Sequence, residues 1–172
     1  MQKTMNQKIK YRESFRPFAP SVRAENISDY FEIDRESPYM LLVSNLKKDK
    51  QVIMSDEQKS YFGLEKLNVV RSEVPAITHV DYSARIQSVN GKTNPRYHEM
   101  LTKFNDKYGC AVIVNTSFNV RGEPIVCTPK DAYLCFMRTE MDCLIMGNYL
   151  LDKTQQKPLV GDSEWQSEFE LD

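Results

Sequence analysis

The stretch Asn94–Val114 constrains the fold of this chain more than any other. Asn94-Pro95 reads as a helix start, with Asn as N-cap and Pro at the first helical position. Tyr97, Leu101, Phe104 and Tyr108 then recur at spacings of 4, 3 and 4, which sets them on one helical face. Gly109 is placed to close that helix in a left-handed conformation. Cys110–Val114 (CAVIV) follows at once, nearly all apolar and β-branched, as expected of a central strand covered on both faces. A helix feeding directly into such a strand demands a sheet with helices against it. The fold class is α/β or α+β.

Other segments agree with that class. Pro38–Leu46 is a short apolar run between turn signals and predicts a strand. Val80–Val89 predicts a second, half-buried strand, from the alternation in Arg85-Ile86-Gln87-Ser88-Val89. Thr128-Pro129-Lys130-Asp131 repeats the helix-start signal, with Asp131 able to reach back to the cap. A helix to about Arg138 follows, then Asp142–Leu151 as a strand or hairpin. With 172 residues the chain is expected to form one domain over residues 1–160. Residues 161–172 carry five acids and no base, and read as an acidic, mobile tail.

Charge and hydropathy remove several functional classes. Lys plus Arg number 23 against 24 for Asp plus Glu, so a globally basic nucleic-acid binder is disfavoured. No apolar run approaches the roughly 18 residues of a membrane span. The opening MQKTMNQKIKYRE lacks the apolar core of a secretory signal, and a cytoplasmic protein is expected. Cys110, Cys127, Cys135 and Cys143 form no Cys-x-x-Cys pair, and His79 and His98 have no ligand-like spacing. The cysteines read as buried or semi-buried thiols, and no metal site is expected.

Two segments stand out chemically. In Lys10-Tyr11-Arg12, an extended backbone would send both cations to one side, with Arg16 four positions on, before Pro17. Three converging cations beside rigid prolines suit a polyanion such as a nucleotide phosphate; the alternative is a solvated basic arm. The second segment, Asn115–Pro124, leaves the C-terminal end of the apolar strand, where α/β sheets place ligand sites. Ser117 and Asn119 can donate and accept hydrogen bonds from one side, Arg121 adds charge, and Gly122 permits a positive φ. A polar turn leading into a hairpin is the alternative there. Neither segment is a phosphate-binding loop of the Gly-x-x-x-x-Gly-Lys type or a dinucleotide fingerprint.

The strings KIKYRESFRPFAPSV, ITHVDYSARIQSV, NPRYHEML and, above all, VNTSFNVRGEPIVCTPKDA resemble the C-terminal domain of the O-carbamoyltransferases, which tailor nodulation factors and antibiotics. The resemblance runs from about Asn6 to Leu151 in family order. It implies a YrdC-like fold, an open twisted mixed sheet with flanking helices around a positively charged cavity. The wider YrdC-like group lines its nucleotide site with a Lys-x-Arg pair and a Ser-x-Asn pair. Here these fall on Lys10, Arg12, Ser117 and Asn119, with Arg85, Arg16 and Arg121 as further substrate-binding candidates. The family more often has Gly where Tyr82 stands, so the backbone there is expected to differ.

The resemblance further implies that carbamoyl phosphate and ATP, with magnesium, are converted to carbamoyl-adenylate. An actin-like N-terminal domain with a metal site, missing from this sequence, would pass the carbamoyl group to a hydroxyl. The chain alone is expected to stop at the adenylate, whether it is a fragment, a split-gene subunit or a stand-alone relic. A turnover-deficient nucleotide-binding partner module is the alternative, and an RNA-binding domain a more remote one.

Overall fold

The computed structural model describes residues 1–160 and Trp165, so the acidic segment 161–172 falls, Trp165 apart, outside the described residues. The chain divides into two compact units, one formed by Pro17–Thr116 and one by Lys3–Arg16 with the chain from Ser117 onward.

The Pro17–Thr116 unit is an open four-stranded mixed sheet. Its strands are β1 (Ala19–Arg23), β2 (Leu42–Asn45), β3 (Ser83–Val89) and β4 (Val112–Asn115), in the order β2-β3-β1-β4. β1 and β3 are parallel, with Val22 opposite Ser88, while β2–β3 and β1–β4 are antiparallel. Short helices α2 (Ile27–Tyr30), α3 (Asp56–Ser60) and α4 (Gly63–Leu67) occupy the connections. The long helix α5 (Pro95–Tyr108) packs on β1 and β4. Leu101 on its apolar face is fully buried, and Val22, Phe31, Leu46, Ile77 and Ile86 are equally enclosed.

α5 starts and stops where its sequence says it should. Gly109 ends it at φ 67°, its N–H donating to Asn105 O at 2.7 Å. Asn94 is the N-cap, but its side chain makes no capping bond. β3 begins at Ser83 rather than Val80 and alternates as far as Ser88, with Ala84 and Ile86 buried and Arg85 exposed, but Val89 breaks the predicted alternation and is buried.

Two strand predictions need correction. The CAVIV run was expected to be central; β4 instead begins at Val112, sits at an edge of the described sheet and pairs only with β1. An apolar run requires both faces to be covered, and says nothing about whether both edges are paired. The Pro38–Leu46 run is a strand only from Leu42. Ser37 folds the first half into a turn, accepting from Met40 N with its carbonyl and from Leu42 N with its hydroxyl. Met40 takes φ 56° there, leaving Tyr39 and Leu41 exposed.

Tyr82 also departs from expectation. Its φ of 64° is the left-handed region that favours Gly, so the backbone keeps that conformation despite the larger side chain. The turn is held because Tyr82 N donates to His79 O at 3.1 Å and Leu46 N to Tyr82 O at 2.8 Å.

The second unit contains α1 (Gln2–Lys8), α6 (Pro129–Arg138) and the hairpin β5 (Cys143–Met146)–β6 (Tyr149–Asp152). α6 opens with the predicted capping box: Asp131 N donates to Thr128 Oγ1 at 3.2 Å and Thr128 N to Asp131 Oδ2 at 2.9 Å. Phe136, Ala132 and Leu144 form its core, with Phe118, Val126 and Met141 packed around them. All four cysteines are free; Cys135 is buried, but Cys127 and Cys143 are exposed rather than semi-buried. No helix among the described residues is long and apolar enough to cross a membrane.

Candidate functional site

The Lys3–Arg16 segment and the loop from Ser117 meet at one buried cation. α1 ends with Lys10 N still donating to Met5 O, and Tyr11 then takes φ 48°. That left-handed residue reverses the chain, so Lys10-Tyr11-Arg12 is not the extended segment expected from alternation. Instead Asn6, fully buried, shapes the loop. Its carbonyl accepts from Arg12 N, its Oδ1 accepts from Arg12 Nε at 2.6 Å, and its Nδ2 donates to Ser14 O and Arg16 O.

Lys10 is 4 % exposed. Its Nζ donates to Asn119 O and Oδ1, both at 2.6 Å, to Ser117 O at 2.9 Å and to Ser117 Oγ at 3.3 Å. Ser117 Oγ donates in turn to Asn119 Oδ1 at 2.6 Å. Thus Lys10, Ser117 and Asn119, more than a hundred positions apart in sequence, do come together. Among the described residues no carboxylate lies within ion-pair distance of Lys10. A buried charge is ordinarily paired; this one is surrounded by neutral oxygens.

Burial, and then the neighbouring Arg12 guanidinium, push the Lys10 ammonium down to about 8. Burial and the proximity of Arg16 likewise lower Arg12. Arg16 and Arg121 reach the same carboxylate, Glu13, at 3.7 and 3.6 Å, and Arg121 N donates to Lys10 O. Burial, then Glu123, push the Cys135 thiol up to about 12, so it is no nucleophile at neutral pH. Among the described residues no cluster of His, Cys, Asp and Glu could hold a metal.

Sequence reasoning missed three members of the site. Asn6 fixes the cationic loop from beneath, and Glu13 bridges two arginines. Glu123 braces the polar loop, its Oε2 accepting from Val120 N at 2.8 Å and its carbonyl from Asn119 Nδ2 at 2.7 Å. The charge of Glu123, two positions past Arg121, was the only visible signal. Arg85 belongs to the Pro17–Thr116 unit, where it stands exposed on β3 opposite Val43.

The depressed Lys10 value has a consequence for stability. Between about 8 and the ordinary 10.5 the unfolded chain binds more protons than the folded one, so this group makes stability rise with pH across that window. Urea midpoints at both ends of the window should therefore rise more in the wild type than in Lys10→Met. Equal rises in both would mean that the ammonium is not desolvated.

The motifs around this site now have relatives to be set against. Residues 1–153 match the family model described as carbamoyltransferase C-terminus. The chain belongs to the carbamoyltransferase C-terminal domain family. It is 61 % identical over 172 residues to an uncharacterized Synechocystis protein, covering all of this chain and 28 % of the relative. It is 36 % identical to the nodulation protein NolO of Bradyrhizobium diazoefficiens, over 87 % of this chain and 24 % of that protein. With the 3'-hydroxymethylcephem-O-carbamoyltransferase of Amycolatopsis lactamdurans it shares 33 % identity, over 81 % of this chain and 23 % of that enzyme. The chain thus spans about a quarter of the length of these curated relatives.

Proposed function

We propose that the Lys10 site binds ATP and forms carbamoyl-adenylate. The observation that carries this reading is a buried ammonium solvated by four neutral oxygens, with a second cation, Arg12, close enough to disfavour its charge. Such a site gains most from an anion. Overall, carbamoyl phosphate, ATP and one water give carbamoyl-adenylate, phosphate and pyrophosphate. The step needs anionic oxygens neutralised and two reactants aligned, which positioned cations supply without a covalent nucleophile. Lys10 and Arg12 hold phosphate oxygens, and Ser117 and Asn119 orient them, with Arg16 and Arg121 adding positive charge at the rim. Magnesium arrives with the nucleotide, bound through phosphates and water. Arg85 enters through the family resemblance alone.

The YrdC-like reading, with its positively charged cavity, draws support from the open mixed sheet and the two motif pairs. That the relatives are about four times longer supports a partner: an actin-like carbamoyltransferase domain that would collect the adenylate and serve the acceptor hydroxyl.

The deciding assay gives the protein carbamoyl phosphate, ATP and magnesium. Slow pyrophosphate release is expected, without carbamoylation of any hydroxyl acceptor. Ser117→Ala and Asn119→Ala should each slow release while leaving the fold intact, because the loop contributes little to the core. Release equal to that of Lys10→Ala defeats the adenylating reading. ATP binding without release leaves a nucleotide-binding module.

A further inference from the structure

Trp165 is the chain's only tryptophan, and it lies beyond residue 153, where the family match ends. It sits against the loop that carries the buried cation. Its ring meets the Tyr11 ring edge-on, with centroids 5.5 Å apart and planes at 65°. The Arg138 guanidinium lies 5.6 Å from the Trp165 centroid, within cation–π reach. Tyr11 and Arg138 are themselves joined, because the Tyr11 hydroxyl donates to Arg138 O at 3.1 Å. All three residues are half-buried.

The seat matters because of where Tyr11 stands. It is the residue between Lys10 and Arg12, and its φ of 48° is left-handed. An aromatic residue keeps that conformation only where its surroundings hold it, since its Cβ crowds the following carbonyl. Asn6 O holds the backbone by accepting from Arg12 N, and Arg138 O holds the phenol. Trp165 adds an aromatic contact to the same ring. Relaxation of this turn would draw Lys10 away from its four oxygens and Arg12 Nε away from Asn6 Oδ1.

We propose that Trp165 is a positioning residue for the Lys10 site, its ring holding the Tyr11 turn that keeps Lys10 and Arg12 in place for one anion. It touches no reacting group and acts through Tyr11. The proposal deepens the ATP reading and rests on it for the identity of the anion. Such coupling is reciprocal: the factor by which the seated ring tightens nucleotide binding is the factor by which nucleotide tightens the seat.

The test uses the whole chain. Trp165→Ala should weaken binding of ATP with magnesium about fivefold, or about 1 kcal/mol, and Trp165→Phe should recover most of the loss because a ring still meets Tyr11. The core around Phe136 is built from residues 118–151, so the fold should survive both substitutions. Labelling with acetic anhydride, followed by peptide mass spectrometry, reads the loop without nucleotide. Lys10 is protected in the wild type by its enclosure and should label faster in Trp165→Ala. Tyr11→Gly takes a positive φ freely, so in that background Trp165→Ala should have no further effect on labelling. Acrylamide quenching of the single tryptophan should fall when ATP binds. Unchanged Lys10 labelling in Trp165→Ala, an equal effect of that substitution in the Tyr11→Gly background, or tighter ATP binding without the Trp165 ring overturns the proposal. Quenching that stays constant while ATP binds does the same. Failure of the ATP reading is distinct: the wild type then gives no binding heat with ATP, while labelling still reports the hold of Trp165 on Lys10.

Discussion

Lys10→Ala lowers the affinity for ATP with magnesium by at least about 1.5 kcal/mol, slightly more than tenfold, in isothermal titration. The loss reflects a charge-assisted contact made where solvent competes little, since Lys10 is almost fully enclosed. Truncation also takes the ammonium donor away from Ser117 O and Asn119 O, which gives the loop a second reason to shift. Lys10→Met separates the two effects, keeping the aliphatic stem while removing the charge. Arg12→Ala should weaken binding to a similar degree, and here Asn6 Oδ1 loses its 2.6 Å donor. Affinity should also decline as pH rises through about 8, because the free ammonium loses its proton there and the anion must restore it. Calorimetry in buffers of different ionisation enthalpy then reports proton uptake on binding. Unchanged ATP affinity in both Lys10→Ala and Arg12→Ala would remove the basis of the proposed function.

Phe136→Ala costs about 3–5 kcal/mol, read as a drop in the urea midpoint. Phe136 is fully buried between Ala132 and Leu144, and the Lys153 ammonium sits 4.1 Å from its ring centroid. Truncation therefore opens a cavity in a small core and also removes a cation–π contact. Lys153 Nζ donates to Phe136 O and to Thr139 O, so the backbone around the cavity stays tied to the hairpin and collapses little. Leu101→Ala, on the buried face of α5, should cost roughly 2–5 kcal/mol on the same grounds. A midpoint that does not move in either variant would show that the corresponding face is not packed.

What was legible in the sequence follows from how local each signal is. α5 and α6 could be read almost to the residue, because caps and 3.6-residue periodicity act within one or two turns. Gly109 and the Thr128–Asp131 box carry their own geometry. Strand position was less legible. The residues of β4 encode apolar faces, but its edge placement depends on where β1 and β3 fall. The turn at Ser37 was hidden because Tyr39 and Leu41 are apolar yet exposed. At the Lys10 site, the motif pairs were visible as residue types. The contacts joining Lys10 to Ser117 and Asn119 have no local trace, and neither has the left-handed Tyr11. Asn6 escaped notice because a lone amide near a helix end looks like ordinary surface; only its three hydrogen bonds to the following loop give it a role.

The separation between Lys10 and its acceptors also dictates an order of events during synthesis. Lys10 leaves the ribosome well before the four oxygens that solvate its ammonium, which belong to residues 117–119. Until about a hundred further residues have emerged, that charge has no enclosure and must remain in water. The intervening Pro17–Thr116 segment is continuous and carries its own buried core, so it can condense while the Lys10 segment is still waiting. Closing so long a loop is entropically slow, and contacts of such range form late. The enclosure of the Lys10 ammonium is therefore a late contact, absent from any nascent chain that has not yet reached residue 119.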